Sequence, residues 1–203
     1  KHMKHIVNLI FEAYHLKRIP RSGAQMLGGN LGTIAEHTYL TCIIGMILAM
    51  QEGANVERTV LLCLFHDLPE SRIGDMNFIQ KRYQMSFEDE AIKEQVQNLN
   101  TNLKNNLLSI YEEYQNRQTP ESKLVHEADI LEQLICEKVA SENGNHQAKN
   151  WLDYSLKQLS TKTGQLIGKE VLASKSYDWW QNLHQKKPIA KQNTIQKAIR
   201  ILK

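Results

Sequence analysis

The amino-acid sequence predicts an all-α protein built as a single helical bundle. Apolar residues recur at intervals of three and four over most of the chain, as they do on one face of a helix. Only four prolines and ten glycines interrupt the 203 residues. Because neither an internal repeat nor a long linker divides the chain, we predict one domain over residues 1–203, with a core at about 5–185 and a tail at 188–203.

Local signals set the limits of the predicted helices. Thr33 and Asn55 are candidate N-caps, and Thr119 precedes a proline at a first helical position. Ser86, with Asp89 three residues later, resembles a capping box. The predicted helices span residues 5–15, 34–50, 56–68, 75–83, 86–117, 121–140, 147–159 and 164–183, and the lysine-rich tail is predicted to form a short terminal helix.

Composition excludes several classes of protein. The longest apolar stretch, residues 40–50, is interrupted by Thr41 and Gly45, so we predict no transmembrane helix, and the N-terminal segment lacks a signal-peptide pattern. A net charge of +3 without a dense Lys/Arg run argues against a nucleic-acid polymer as partner. Cys42, Cys63 and Cys136 lie among apolar residues, so we expect reduced thiols and a cytoplasmic protein.

The most informative stretch is residues 61–75, where an apolar run stops at an adjacent His-Asp pair. Burying His66 and Asp67 costs free energy unless each is hydrogen-bonded, paired with an opposite charge or bound to a metal. Pro69 disfavours a helical conformation just before it, so the helix is predicted to end near this pair. Adjacent helical positions project about 100° apart, so one ion can bind both side chains only if other helices complete its site.

Two residues elsewhere are candidates for completing that site. His37 lies near the core-facing stripe of its predicted helix, where a hydrogen-bonded core histidine is the alternative. Asp129 interrupts the core pattern of a later helix, where a surface salt bridge is the alternative. Together with His66 and Asp67 they make two imidazoles and two carboxylates. Such a set suits one divalent ion and leaves positions for water and substrate, but the identity stays open among Mn, Co, Ni, Zn, Fe and Mg.

This arrangement resembles the HD-domain superfamily of metal-dependent phosphohydrolases, and within it the 5'-deoxynucleotidase group. The matching segments are Ala35-Glu36-His37, His66-Asp67 and Glu127-Ala128-Asp129 for the superfamily, and Leu16 to Arg21 and His66-Asp67-x-x-Glu70-x4-Asp75 for the group. The resemblance covers roughly residues 5 to 140. It implies metal ligation by His37, His66, Asp67 and Asp129.

The resemblance also implies roles around the metal. Arg21, with Arg18 nearby, is expected to bind the substrate phosphate, because a guanidinium matches phosphoryl oxygens in charge and geometry. Glu70 is expected to orient or deprotonate the attacking water, and Asp75, if protonated, to donate a proton to the departing sugar oxygen. The alternatives are a loop carboxylate for Glu70 and a helix cap for Asp75.

The function expected from this resemblance is hydrolysis of (deoxy)nucleoside 5'-monophosphates by a metal-dependent, homodimeric enzyme, with the C-terminal aromatic residues as a candidate dimer surface. One departure concerns the substrate: the group usually has a tryptophan beside or just after the phosphate-binding arginine, whereas Arg21 is followed by Ser22-Gly23-Ala24. Another small phosphate ester is therefore an alternative substrate. A non-catalytic metal-binding HD module is a second alternative, and a phosphodiesterase that uses His126 for a second ion is a third.

Overall fold

A computed structural model describes residues 2–181 and 183–186. These residues form helices and connecting turns, with no strand among them, so the all-α prediction is confirmed. Their one extended contact is an isolated antiparallel bridge between Pro20 and Thr33, which closes the glycine-rich loop at its base. The helix predicted within residues 188–203 lies outside the described residues.

Twelve α-helices and two short 3-10 helices make up the described part of the chain. The α-helices are α1 (His2–His15), α2 (Ala24–Leu27), α3 (Ile34–Glu52), α4 (Val56–Phe65), α5 (Glu70–Ile73), α6 (Phe78–Tyr83), α7 (Glu88–Val96), α8 (Thr101–Asn116), α9 (Pro120–Glu142), α10 (His146–Gln158), α11 (Lys162–Ala173) and α12 (Asp178–Gln181). The 3-10 helices span Leu16–Arg18 and Leu183–Gln185.

Three helices, α3, α4 and α9, pack against one another at the centre. The predicted caps are confirmed at all three: the side chains of Thr33, Asn55 and Thr119 each accept a hydrogen bond from a first-turn backbone N–H. Among the described residues, α3 is the one helix long and apolar enough to cross a membrane by length and composition. It packs against both other helices instead, and Leu48 and Ala49 on it are fully buried.

A close approach of α3 to α4 depends on Gly45. A Cβ atom at this position would lie 2.6 Å from Cys63 Sγ on α4, which is closer than such atoms approach in proteins. The missing side chain therefore lets α3 and α4 pack closely, one helix carrying His37 and the other leading directly into His66.

Two hydrophobic clusters stabilise this arrangement. The first lies between α3, α4, α9 and α10 and includes Leu48, Leu62, Leu131 and Leu134, which are completely buried. The second packs α1, α7 and α8 against the start of α3, with Ile34 at its centre. Burial of this apolar surface, at roughly 25 cal/mol per Å², supplies the main driving force that holds the three central helices in place.

Several predicted boundaries are wrong. The long helix predicted over residues 86–117 is two helices, because Asn100 caps a new one at α8 and Leu99 is buried in the turn between them. Ser86 does not cap α7; its hydroxyl donates to Glu88 instead. The helix predicted over residues 164–183 ends at Ala173. These errors share a cause. A helix end marked only by polar residues within a polar stretch hardly changes the spacing of the apolar residues, so the pattern does not show where one helix ends.

Candidate metal centre

Four side chains from three central segments converge on one point. His37 comes from the first turn of α3, His66 and Asp67 directly follow α4, and Asp129 lies in the middle of α9. His37 Nε2 lies 3.2 Å from His66 Nε2, 3.3 Å from Asp67 Oδ2 and 3.5 Å from Asp129 Oδ1. His66 Nε2 lies 3.1 Å from Asp67 Oδ2. The structure thus brings together all four residues that the sequence analysis selected.

The hydrogen bonds of the two imidazoles explain why this cluster fits a metal ion. His37 Nδ1 lies 2.8 Å from Glu132 Oε2, and His66 Nδ1 lies 2.7 Å from the backbone carbonyl of Cys63. Both partners are acceptors, so each Nδ1 donates its proton outward and each Nε2 is left as the metal-binding atom. The two Nε2 atoms lie 3.2 Å apart beside two carboxylates, an arrangement of nitrogen and oxygen atoms that could hold a divalent cation.

The electrostatics agree with a cation site. Burial lowers the pKa of His37, but hydrogen bonds with Asp67 and Glu132 outweigh it and raise the pKa to about 10. Burial raises the pKa of Asp67, but the charges and hydrogen bonds of His66 and His37 hold it well below its usual range. Without a metal, protons on the imidazoles therefore offset the negative charge. A bound divalent ion would offset this negative charge in place of the protons, because it coordinates the neutral imidazole.

Arg21 faces this cluster from the glycine-rich loop. Its guanidinium lies 3.4 Å from Asp75 Oδ2, and the same oxygen accepts a hydrogen bond from the backbone N–H of Ser22 at 2.8 Å. Burial lowers the pKa of Arg21, but the charges of Asp75 and Asp129 outweigh that effect and raise it. Arg21 is therefore a buried cation held by one carboxylate beside the candidate metal site.

Asp75 does not cap α6, although the predicted helix began there. Asn77 is the N-cap, and it forms a capping box with Gln80. Asp75 Oδ2 instead pairs with Arg21 and accepts a hydrogen bond from the backbone N–H of Ser22. This contact removes the alternative interpretation of Asp75 as a helix cap and associates it with the site.

Glu70 lies on α5, directly after the His-Asp turn, and is buried. Burial, followed by the charges of Asp67 and Asp75, raises its pKa to about 10. Its Oε2 atom is buried and has no hydrogen-bond partner among the described residues. A buried carboxyl oxygen without a partner is costly, and a water or substrate atom is the natural group to satisfy it.

Two predicted residues do not join the cluster in the structure. Arg18 is exposed, and its guanidinium lies 5.5 Å from the centroid of the Tyr14 ring, so its role in substrate binding stays a prediction. His126 Nε2 lies 3.3 Å from Arg117 Nη1, so this nitrogen faces a guanidinium and not the cluster. The second-ion site of the phosphodiesterase alternative stays a prediction.

The sequence analysis missed Glu132, which orients His37. This residue lies one turn after Asp129 on α9 and is only 4% exposed. Its Oε1 also accepts a hydrogen bond from Cys136 Sγ at 3.1 Å. The sequence contained a signal for this role. Glu132 follows the candidate ligand Asp129 by three residues within a core pattern, and helical positions i and i+3 share a face.

The glycine-rich loop is tied down on two sides. The side chain of Asn77 donates to Gln25 at 3.1 Å, and that of Asn145 donates to the carbonyl of Leu27 at 2.7 Å. These bonds fix the segment that follows Arg21, where the expected tryptophan is absent.

Comparisons with known proteins agree with this geometry. A family model for the HD domain matches residues 13–171. The human 5'-deoxynucleotidase HDDC2 is 30% identical over 124 residues, which cover 59% of this chain and 60% of the human protein. The match thus spans about three fifths of the length of these curated relatives.

Solved structures give the same fold. A conserved hypothetical protein from Pyrococcus furiosus superimposes with a TM-score of 0.65 at 25% identity, over 83% of this chain and 99% of that one. A predicted metal-dependent phosphohydrolase from Magnetospirillum magnetotacticum gives a TM-score of 0.65 at 17% identity, over 85% and 91%. With the family model matching most of its length and its His and Asp residues converging as described, the chain belongs to the HD domain family.

Proposed function

We propose that this protein is a divalent-metal-dependent phosphomonoester hydrolase acting on deoxynucleoside or nucleoside 5'-monophosphates. The observation that carries the proposal is the convergence of four metal-binding side chains next to a buried arginine. The curated relatives named 5'-deoxynucleotidase support the choice of substrate class.

His37, His66, Asp67 and Asp129 would hold the ion. A divalent cation bound there supplies a Lewis acid that polarises the phosphoryl group. Arg21 binds the non-bridging oxygens of the phosphate, and Asp75 holds the guanidinium in place for that contact. The ion and Arg21 together offset the charge that the phosphoryl group carries during the reaction.

Hydrolysis joins the oxygen of a water to phosphorus and breaks the bond from phosphorus to the sugar oxygen. The water loses a proton and the sugar oxygen gains one. Glu70 Oε2, buried and without a partner, is the candidate for binding the water and taking up its proton. Its raised pKa means that the carboxyl is protonated in the metal-free protein, and the charge of a bound divalent cation would favour the carboxylate that this step requires. Asp75 is the candidate for protonating the sugar oxygen.

The decisive experiment uses metal-free protein reloaded in turn with Mn, Co, Ni, Zn, Fe or Mg. Phosphate release is measured from a panel of deoxynucleoside and nucleoside 5'-monophosphates and from other small phosphate esters. Activity towards the first group alone supports the proposal, and activity towards the others alone redirects it to another phosphate ester. Stoichiometric metal without turnover on any ester contradicts it and favours a non-catalytic metal-binding module.

A matched pair of variants separates enzyme from structural module. Glu70→Gln keeps the size and burial of the side chain but removes its acid–base chemistry, so metal content is retained and turnover falls at least 100-fold. Glu57→Gln, an exposed residue in the first turn of α4, is the control for loss of one carboxylate. Equal activity of the two variants would contradict the role of Glu70.

The assembly and location expected for this protein belong to the same proposal. A homodimer is supported by exposed aromatic residues at the C-terminal end of the described chain, where Trp179 is 76% exposed and Trp180 is 50% exposed. A cytoplasmic location is supported by three cysteines that form no disulfide. Light scattering tests the assembly: a molar mass of one 23.5 kDa chain contradicts the dimer.

A further inference from the structure

The mouth of the metal site lies on the side of Asp129. Its side chain is 30% exposed, whereas those of His37 and Asp67 are 1% and 14% exposed. Arg21, at 18%, is also more enclosed than Asp129. A phosphate bound between the metal site and Arg21 therefore extends the rest of its molecule outward past Asp129.

A separate cluster of polar side chains lies one helical turn from this mouth. His126 precedes Asp129 by three residues on α9, so the two share a face. Arg117 Nη1 donates towards His126 Nε2 at 3.3 Å. The ring of Tyr114, on the last turn of α8 just before Arg117, packs edge-on against His66 at 5.3 Å. This ring contact links the end of α8 to the metal site.

Arg117 is an exposed arginine with an unusual backbone conformation. Its backbone is left-handed, with φ of 51°, and it is the one non-glycine residue with positive φ in the described part of the chain. Such a conformation costs an L-residue about 1 kcal/mol or more, and glycine is the usual choice at the end of a helix. Retaining an arginine there indicates that its side chain serves a purpose.

Arg117 is exposed and forms no ion pair among the described residues. The nearby Glu113 is already paired with Arg58 and accepts a hydrogen bond from Thr119. Burial and the charge of Arg117 both lower the pKa of His126, so this imidazole does not compete for the guanidinium as a second cation. A guanidinium has five N–H donors, so the bond to one imidazole nitrogen leaves most of them for a ligand.

We propose that Arg117, positioned by His126, is a second anion-binding point at the mouth of the site, selecting small phosphate esters with a further anionic group beyond the scissile phosphate. A nucleoside 3',5'-bisphosphate is a compound of this class. This inference rests on the proposed function for its meaning, since it names what the same site selects. It goes beyond that function, because a 5'-monophosphate has no second anionic group for Arg117 to bind.

Equilibrium binding tests the inference without requiring turnover. Adenosine 3',5'-bisphosphate and adenosine 5'-monophosphate are titrated calorimetrically into metal-loaded protein that carries Glu70→Gln, so that neither is consumed. Arg117→Gly removes the guanidinium while supplying the residue that this backbone conformation favours, so the fold is retained. Lys157→Gln, an exposed residue on α10, is the control for loss of one positive charge.

We expect Arg117→Gly to weaken bisphosphate binding at least tenfold relative to monophosphate binding, as loss of a charge-assisted contact does. His126→Gln, whose amide oxygen can still accept from Arg117, retains most of the preference, and His126→Leu loses much of it. An unchanged binding ratio in Arg117→Gly, equal to that in Lys157→Gln, overturns the inference. If the wild-type protein hydrolyses no ester but the binding ratio depends on Arg117, the proposed function fails and the anion-binding point stands.

Discussion

Glu132 offers the sharpest test of the metal centre, because it contacts a ligand without being one. Replacing it by glutamine keeps the volume and leaves an amide oxygen that can still accept from His37 Nδ1, but it removes the negative charge. That charge lies 2.8 Å from the imidazole and strengthens its electron donation to a metal ion. Loss of a partner of this kind lowers metal affinity about 10- to 100-fold.

The size of the effect follows from the contact itself. A hydrogen bond to a charged group is worth about 1.5–3 kcal/mol, and every 1.4 kcal/mol is about a tenfold change in affinity. The two imidazoles are not equivalent in this respect. His66 Nδ1 donates to a neutral backbone carbonyl, whereas His37 Nδ1 donates to the carboxylate of Glu132. We therefore expect the metal affinity to depend more on Glu132 than on the partner of His66.

The assay is competition for Zn²⁺ or Co²⁺ against a chromogenic chelator at fixed pH, with circular dichroism to confirm helicity. Glu137→Gln is the matched control: it removes the same charge from the same helix at a residue only 1% exposed, but one that contacts Ser155 and Gln133 rather than a ligand. Wild-type affinity in Glu132→Gln, or equal losses in the two variants, would refute the reasoning.

Three further predictions address packing, proton transfer and pH. Gly45→Ala places a methyl group against Cys63 Sγ, so we expect the melting temperature and the metal affinity to fall together. Overpacking costs about 1–3 kcal/mol, which exceeds the gain of about 1 kcal/mol in helix propensity. Unchanged stability would contradict the close approach of α3 to α4. Asp75→Asn raises KM because it loosens Arg21; if Asp75 also protonates the leaving group, kcat falls for nucleotides but not for para-nitrophenyl phosphate, whose leaving group needs no proton. Burial raises the pKa of Glu137, so the contribution of this group to stability is complete below its unfolded-state pKa and is lost as pH rises towards its folded-state pKa. Thermal melts of metal-free protein should therefore show a melting temperature that falls over this pH range. Glu137→Gln should make that pH dependence weaker.

Three of the four proposed ligands were predictable from the sequence because each breaks a local rule. His66 and Asp67 end an apolar run, and Asp129 sits in a core pattern, so each needs a partner that only a shared site provides. The helix caps of α3, α4 and α9 were predictable for a similar reason, since Thr33, Asn55 and the Thr-Pro pair act within one turn of themselves.

Other features depend on contacts across the fold and leave little trace in the chain. Gln95 lies in a run rich in Asn and Gln that reads as solvated surface, yet it is buried and donates to Ser71 and to the carbonyl of Leu68. Its amide hydrogen-bonds to groups near the His-Asp turn. These bonds exist only because α7 packs against that turn, so the sequence alone does not show them. The same holds for Asp75, whose partner Arg21 is 54 residues away in sequence.

Three buried glutamates on α9 show how one helix can serve both fold and site. Glu127 accepts hydrogen bonds from Ser160 and Thr161 at the start of α11, and Glu137 accepts from α10, so these two connect α9 to the helices behind it. Glu132 lies between them and turns towards His37. Because α9 is anchored on both sides of Glu132, the position of this carboxylate is set by the scaffold rather than by the ion. The site is therefore preorganised, and removing the metal should leave α9 and Glu132 in place.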